Sequence, residues 1–356
     1  MLLVSNCLEE ITTTSMRETS GGTATDTMYR CHIDLPAGTQ RIRAFVWHVN
    51  EMGGTRVFSL FGRLASGSGA IVDRRIISQT GANYPPIGLC LAKVHLWGEW
   101  DSALDDLSLS QTEVAIWQQT GVSNNQLVAA VMEFDVVLSG AATIDLRTTV
   151  ATGTGAPGSW DQTPAFDPSH HVRGYWTFSR LTMDAGTFDA RALQGAPPVR
   201  IIQCIADGGP EITAFGRTSG DTYGTDRGNK GCYGADLQYD FTVINTGDQT
   251  YPMYAYAQGR DVDRQGSGYF GPCSILSPGS YTKRGITRLR CDGPCPQGGD
   301  YARLTTSDGS NEVAAQIPQD AELTYRVGAA VAGAATTPFN LALRGLAYML
   351  TEPPET

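Results

Sequence analysis

The sequence has no uninterrupted apolar run near the roughly 18 residues that a membrane-spanning helix requires, so no membrane span is expected. Charge is sparse, at 17% of the 356 positions, and its balance is acidic, with a formal net charge of −10 at pH 7. Such a balance gives no basic face for neutralising phosphates, and direct nucleic-acid binding is not expected. Histidine is scarce too. His32, His48, His95, His170 and His171 all fall in the first half of the chain, so the second half has no histidine general base. A Gly-x-Ser-x-Gly elbow, a phosphate-cradling Gly-x-x-x-x-Gly-Lys-Ser/Thr loop and a His-Glu-x-x-His helix are all missing. We therefore expect a non-enzymatic protein with no catalytic residues, no cofactor and no metal.

The remaining ligand-like clusters are weak. His170-His171 follow Asp167, but neighbours in a strand point to opposite faces and rarely share one metal. Cys291-Asp292-Gly293-Pro294-Cys295 has no nearby histidine and no second cysteine pair at zinc-finger spacing. The oxygen-rich stretch Asp221 to Gly228 lacks the bidentate glutamate of a calcium loop. Met1-Leu2-Leu3-Val4 has no positive flank and is interrupted at Glu9 and Glu10, so it reads as a strand and not as a secretory leader.

What the sequence does contain is a repeat. Glu10-Ile11-Thr12, Arg17, Thr19-Ser20-Gly21-Gly22-Thr23 and Cys31 return as Glu211-Ile212-Thr213, Arg217, Thr218-Ser219-Gly220-Asp221-Thr222 and Cys232. Leu3 to Cys7 aligns with Ile201 to Cys204, and the apolar run Ile42 to Val49 with Leu237 to Ile244. Gly140-Ala141-Ala142-Thr143 matches Gly333-Ala334-Ala335-Thr336, and Leu146-Arg147 matches Leu343-Arg344. Collinear matches at a nearly constant offset point to an internal duplication.

With 41 glycines and strands marked by β-branched and aromatic residues between turns, the chain reads as all-β. The expected organisation is two tandem homologous antiparallel β-sandwiches, jelly-roll or immunoglobulin-like, at residues 1–151 and 199–356. An aromatic-rich connector would join them at 152–198. Arg41 to Val49 and Arg56 to Leu64 read as the two strands of a hairpin around a turn at Asn50 to Thr55, repeated at Leu237 to Ile244 and Thr250 to Gln258, and Leu127 to Ser139 and Thr143 to Ala151 read as a closing pair. Asp105 to Gln119 is the one stretch with some helical character.

Two sets of residues are candidates for function. If the copies fold alike, Cys7 with Cys31 and Cys204 with Cys232 occupy equivalent places, and their alternatives are disulfide bridging or burial as small hydrophobes. Trp160, Phe166, Tyr175 and Trp176 of the connector, and the Trp97 and Trp100 pair, are candidates for partner or glycan contact, against the alternative of core packing.

In organisation the chain resembles the double-sandwich structural proteins of viruses and phages, including double-jelly-roll capsid proteins. The resemblance covers the chain at the level of architecture, rests on the duplication, the length and the expected lack of a secretory leader, and carries no individual residue across. It implies a virion structural protein, as a capsid, decoration or tail-associated subunit. Such a protein is made in the host cytoplasm, its partners being its own copies and other virion proteins. The alternative is an extracellular carbohydrate-binding sandwich protein.

Overall fold

The computed structural model describes residues 1–6, 9–17, 25–82, 87–88, 91, 100–165, 172–196, 199–202, 229, 232–259, 273–277, 280–281, 314–330 and 339–345. They fall into two compact units. The first carries β1 (Leu2–Ser5), β2 (Glu10–Thr12), a 3-10 turn (Ser15–Arg17), β3 (Thr27–Leu35), β4 (Gly38–Glu51), β5 (Arg56–Leu64) and β6 (Gly69–Gly81). It continues with β7 (Ser102–Leu104), β8 (Leu107–Leu109), β9 (Val114–Val122), β10 (Gln126–Leu138), β11 (Ala142–Ala151) and β12 (Arg173–Trp176). The second unit carries β13 (Arg180–Asp189), β14 (Val199–Ile202), β15 (Asp236–Ile244), β16 (Tyr251–Gly259) and β17 (Cys273–Ser277). Its last strands are β18 (Ser280–Tyr281), β19 (Ala314–Ile317), β20 (Glu322–Ala330) and β21 (Phe339–Arg344).

The strand pairs of the first unit nest inside one another. β3 pairs with β11, β4 with β10, β5 with β9, and β6 with both β7 and β8, all antiparallel. That is the pattern of one long hairpin rolled up on itself, which leaves β4-β10-β6 in one sheet and β3-β11-β5-β9 in the other. The nesting is that of a jelly roll, and it decides between the two sandwich types expected. The second unit nests likewise: β14 with β21, β15 with β20, β16 with β19, and β17 with β18. Each roll also carries parallel pairing: β1 and β2 beside β4 in the first, with β12 outside β1, and β13 beside β15 at the sheet edge in the second.

Registers agree as well as strand order. Arg56 faces Val122 in the first roll and Tyr251 faces Ile317 in the second. Val49 faces Leu127, and Ile244 faces Glu322. One constant shift carries each first pair onto the second. The shift fails before β4, however, because the loop after β3 is residues 36–37 whereas the chain between β14 and β15 is residues 203–235. In the pairing scheme β14 therefore stands where β3 does, and β13 stands where β1 does. The sequence alignment of Leu3 to Cys7 with Ile201 to Cys204 is corrected accordingly. A fixed offset cannot survive loops of different length. The second Glu-Ile-Thr, Glu211 to Thr213, lies outside the described residues.

Alternation builds the core. Ile42, Ala44 and Val46 on β4 pack inward against Phe58, Leu60, Val128, Ala130 and Phe134. Phe45 and Trp47 point the other way, yet they too are buried, with ring centres 6.3 Å apart and planes 9° from parallel. Each large apolar side chain so buried stabilises the fold by about 1.5–3 kcal/mol. Burial on both faces explains why the apolar run of β4 lacks clean alternation. In the second unit Leu237, Tyr239, Phe241 and Val243, every second residue of β15, are buried.

One local expectation is corrected. Asp105 to Gln119 forms β8 and most of β9, because Val114, Ile116 and Trp117 suit a pleated surface better than a helix. Within the stretch 152–198, β12 adds antiparallel to β1, and β13 adds parallel to β15. No helix among the described residues is long and apolar enough to cross a membrane.

Candidate functional site

The richest concentration of polar chemistry lies on the outer face of the β3-β11-β5 sheet. Cys31 and Ile33 on β3 and Ile144 and Leu146 on β11 turn into the core. Their neighbours Arg30, His32, Asp34, Thr143, Asp145 and Arg147 must then face outward. The register sets these residues directly opposite one another, Thr143 to Asp34, Asp145 to His32 and Arg147 to Arg30.

Each cross-strand pair is satisfied differently. The Thr143 hydroxyl donates to Asp34 at 2.6 Å, and His32 Nδ1 lies 2.5 Å from Asp145 Oδ1. Asp145, nearly buried, also accepts from Arg63 Nε at 2.9 Å across the β5 register. Arg147 and Arg30 are like charges placed opposite, which is unfavourable unless each finds its own anion. Arg147 grips both carboxylate oxygens of Glu113, at 2.5 and 2.7 Å, and Arg30 lies 3.9 Å from Asp161. Burial holds the Arg30 guanidinium below its usual pKa, with Asp161 and Asp145 opposing that shift.

These arginines clamp a strap made of residues 159–165. Arg147 donates to the Ser159 carbonyl at 3.0 Å and Arg30 to the Trp160 carbonyl at 2.8 Å. The Trp160 ring receives Arg63 at 4.5 Å and Arg147 at 5.2 Å from its centre, contacts worth about 0.5–2 kcal/mol each. Arg173 from β12 donates to the carbonyls of Met28 and Ala165, and the Ala165 amide donates to Thr27 at 2.9 Å. Chemically the arrangement fixes a loop to a sheet.

A serine–histidine contact does occur elsewhere. Ser5 Oγ lies 2.9 Å from His48 Nε2 and 2.7 Å from Thr148 Oγ1. Both Ser5 and His48 have 0% exposure, so no substrate reaches them, and the contact ties β1 and β4 of one sheet to β11 of the other. The opposite outer face, on β4-β10-β6, carries a charge ladder. Arg41 donates to Asp135 at 2.5 Å and to Asp73 at 2.9 Å, Arg75 donates to the same Asp73 at 2.9 Å, and Arg43 pairs with Glu133 at 2.7 Å. The hydrogen bond to Asp135 above all raises the Arg41 pKa.

Of the aromatic residues expected at a partner or glycan surface, two are buried. Trp176 is 1% exposed and Trp160 7%, so neither offers its ring to solvent. Tyr175 is half-buried against the first core, and Trp100 is partly buried just before β7. Phe166 and Trp97 lie outside the described residues. Apolar rings in a connector are drawn under the nearest sheet wherever cations or core can cover them, and here both can. Cys31 and Cys232 are buried, while Cys7 and Cys204 lie outside the described residues. In the pairing scheme Cys31 sits on β3, whose counterpart β14 ends before Cys232, so these two cysteines are not equivalent positions. Among the described residues no group of three or more His, Cys, Asp or Glu is arranged about a metal site. The arginines were the missed signal: Arg30-x-His32-x-Asp34 and Thr143-x-Asp145-x-Arg147 alternate polar residues at strand period.

No family model and no curated protein matches the chain. Among solved structures it is similar to Lac15 from a marine microbial metagenome, at 9% identity and a TM-score of 0.16, covering 94% of this chain and 64% of that one. It is also similar to the CUB1-EGF-CUB2 domains of rat MASP-1, at 8% identity and a TM-score of 0.19, covering 94% and 99%. Fet3p, a multicopper oxidase that functions in iron import, gives 9% identity and a TM-score of 0.13, covering 86% and 53%. The chain thus spans about two thirds or less of the Lac15 and Fet3p chains. Likeness at this level carries no argument about function.

Proposed function

We propose that this chain is a non-enzymatic virion structural protein, a capsid, decoration or tail-associated subunit that acts by self-assembly. In this reading its sandwich is internally duplicated, and it is made in the host cytoplasm for incorporation into a particle. The observation that carries the reading is the pair of jelly rolls with one nesting scheme and matching registers in a single chain. Jelly rolls recur in capsid proteins, lectins and cupins, so the fold alone does not choose among them. A cupin holds its metal inside the roll, but the described interior of the first roll is packed with apolar side chains. A lectin offers rings to sugars, but Trp160 and Trp176 are buried. A structural subunit needs rigid sandwiches, and the arginine clamps and the charge ladder stiffen the first roll.

Electron microscopy and sedimentation velocity on the purified full chain test this. Ordered oligomers, sheets or particles are expected. A monodisperse monomer at every concentration, with glycan-array binding, would overturn the reading in favour of carbohydrate recognition.

A further inference from the structure

Of the buried arginines in the first unit, Arg43 is matched by Glu133 and Arg147 by Glu113, while Arg173 donates to the Met28 and Ala165 carbonyls. Arg74 on β6 also bonds to carbonyls, and it differs in lining a groove. It is 9% exposed and donates from Nε and Nη2 to the Asp105 carbonyl and from Nη1 to the Ile116 carbonyl at 2.8 Å. Among the described residues it makes no ion pair. Three of its five N–H groups are used, so two are left, and buried charges are ordinarily paired. Burial also lowers its pKa, with Asp105 and Asp106 opposing only in part, so the cation is under-compensated where it sits.

The same guanidinium lines a groove of about 360 Å³ between the edges of the two sheets, with Ile76, Leu104 and Trp117 as apolar walls and Ser78 and Gln118 at the rim. Leu104 is 37% exposed, one of two large hydrophobic residues so exposed among the described residues. Beside it runs β9, a sheet edge of nine residues without charge or proline. An under-compensated cation flanked by exposed apolar surface calls for a carboxylate with an apolar neighbour.

We propose that this groove receives an acidic side chain, together with an adjacent apolar residue, from a second copy of this chain. The occupant follows from charge: the chain carries 36 Asp and Glu against 26 Lys and Arg, so another copy brings a surplus of carboxylates to meet one buried cation. The inference rests on the self-assembly reading and names a contact that would serve it.

The test is self-association of the full chain by sedimentation velocity, for wild type, Arg74→Met, Leu104→Asp and Leu104→Arg. Arg74→Met removes the charge and keeps most of the volume. Leu104→Asp sets an anion at the mouth without disturbing the core, so it remains informative if Arg74→Met does not fold. At least a tenfold weaker association is expected for Arg74→Met and Leu104→Asp, with little change for Leu104→Arg and weakening by salt in the wild type. Equal weakening by Leu104→Asp and Leu104→Arg would mean a merely steric contact and overturn the carboxylate. Association unchanged in every variant would remove the groove from the interface while leaving self-assembly standing. A wild type that stays monomeric would overturn both.

Discussion

Asn50 and Asn245 share three hydrogen bonds, and Asn245 adds a fourth to the Pro318 carbonyl at 2.9 Å. Each side-chain amide donates to a carbonyl four residues on, Gly54 or Gln249, and to a carbonyl 72 residues on, Val122 or Ile317. Each side-chain oxygen accepts from the amide two residues on, Met52 or Gly247. Both asparagines are buried, at the turn where the chain leaves one sheet for the other. The facing turn repeats as well: Gln126 donates to Ser123 and Ala321 to Pro318, each at 3.2 Å, and Asn125 and Asp320 hold left-handed φ of 61° and 58°. The two turns are thus stitched twice in the same way, which is what the proposed duplication leaves when surface sequence has diverged.

Replacing either asparagine by alanine should destabilise its own roll by about 2–4 kcal/mol, since three hydrogen bonds go and a buried carbonyl is left without its donor. Because two units need not unfold together, hydrogen exchange resolved by strand is the suitable measurement. Asn50→Ala should speed exchange in β4, β5 and β9, and Asn245→Ala in β15, β16 and β19. Unchanged protection in both would show that the clamp is incidental.

These asparagines also show what was legible in the sequence. Ile42 to Val49 and Leu237 to Ile244 align, and Asn50 and Asn245 follow as turn residues, so the strands and turns were readable, but the expected hairpins are corrected: β4 and β5, like β15 and β16, lie in different sheets. The clamp was not readable, because its acceptors lie 72 residues away. The same holds for the strap: Trp160 reads as surplus apolar surface until Arg63 and Arg147 are brought to its ring. Period and turn chemistry are local, whereas a site is made by register. The match between Cys31 and Cys232 misled because letters were aligned across loops whose lengths differ.

Arg147→Met should cost about 3 kcal/mol, the lower end for breaking a largely buried ion pair. It leaves Glu113 without its fork and the Ser159 carbonyl without its donor, while the methionine keeps most of the volume. Limited proteolysis should then cut within residues 152–158 faster than in the wild type. A Glu113→Gln variant, which keeps an acceptor for Arg147, should be cut more slowly than Arg147→Met. Equal cutting of Arg147→Met and the wild type would disprove the clamp.

Two carboxylates, one in each unit, should contribute oppositely to stability in acid. Burial raises the Asp26 pKa, opposed in part by Arg147. The folded state then holds its proton where the unfolded chain has lost it, so stability falls as pH rises from the ordinary carboxylate pKa of about 4 through the raised value. Asp189 is the reverse case: burial pulls its pKa up but is outweighed by the Thr246 hydroxyl and amide and the Arg191 amide, so the net shift is downward. Its contribution is present above the unfolded pKa and is lost as pH falls through the folded one. Asp26→Asn should therefore stabilise the first unit at pH 7 and have little effect once the acid is protonated. Asp189→Asn should weaken the second unit at pH 7 and matter less in acid. Strand-resolved exchange against pH reads both, and shifts of the same sign in the two variants would contradict the assignment.

Gly234 separates backbone strain from crowding. Its φ is +75°, and a Cβ at this position would meet Phe45 Cβ at 2.6 Å and Leu2 Cδ1 at 3.2 Å. Phe45 is itself held between Trp47 and Tyr233, with ring centres 6.3 and 6.2 Å away, so it has no easy retreat. Gly67 has a similar φ of +79°, but a Cβ there would meet nothing within 4 Å. Gly67→Ala should therefore cost only the left-handed penalty, about 1–2 kcal/mol. Gly234→Ala adds overpacking of about 1–3 kcal/mol to the same penalty. The difference between the two variants isolates how tightly this turn is pressed onto the outer face of β4. In thermal denaturation Gly234→Ala should lie clearly below Gly67→Ala, with a loss of near-ultraviolet circular dichroism from the Trp47-Phe45-Tyr233 stack. Equal melting temperatures for the two would mean that the aromatic stack yields, and that the close approach at Gly234 is not a constraint on the fold.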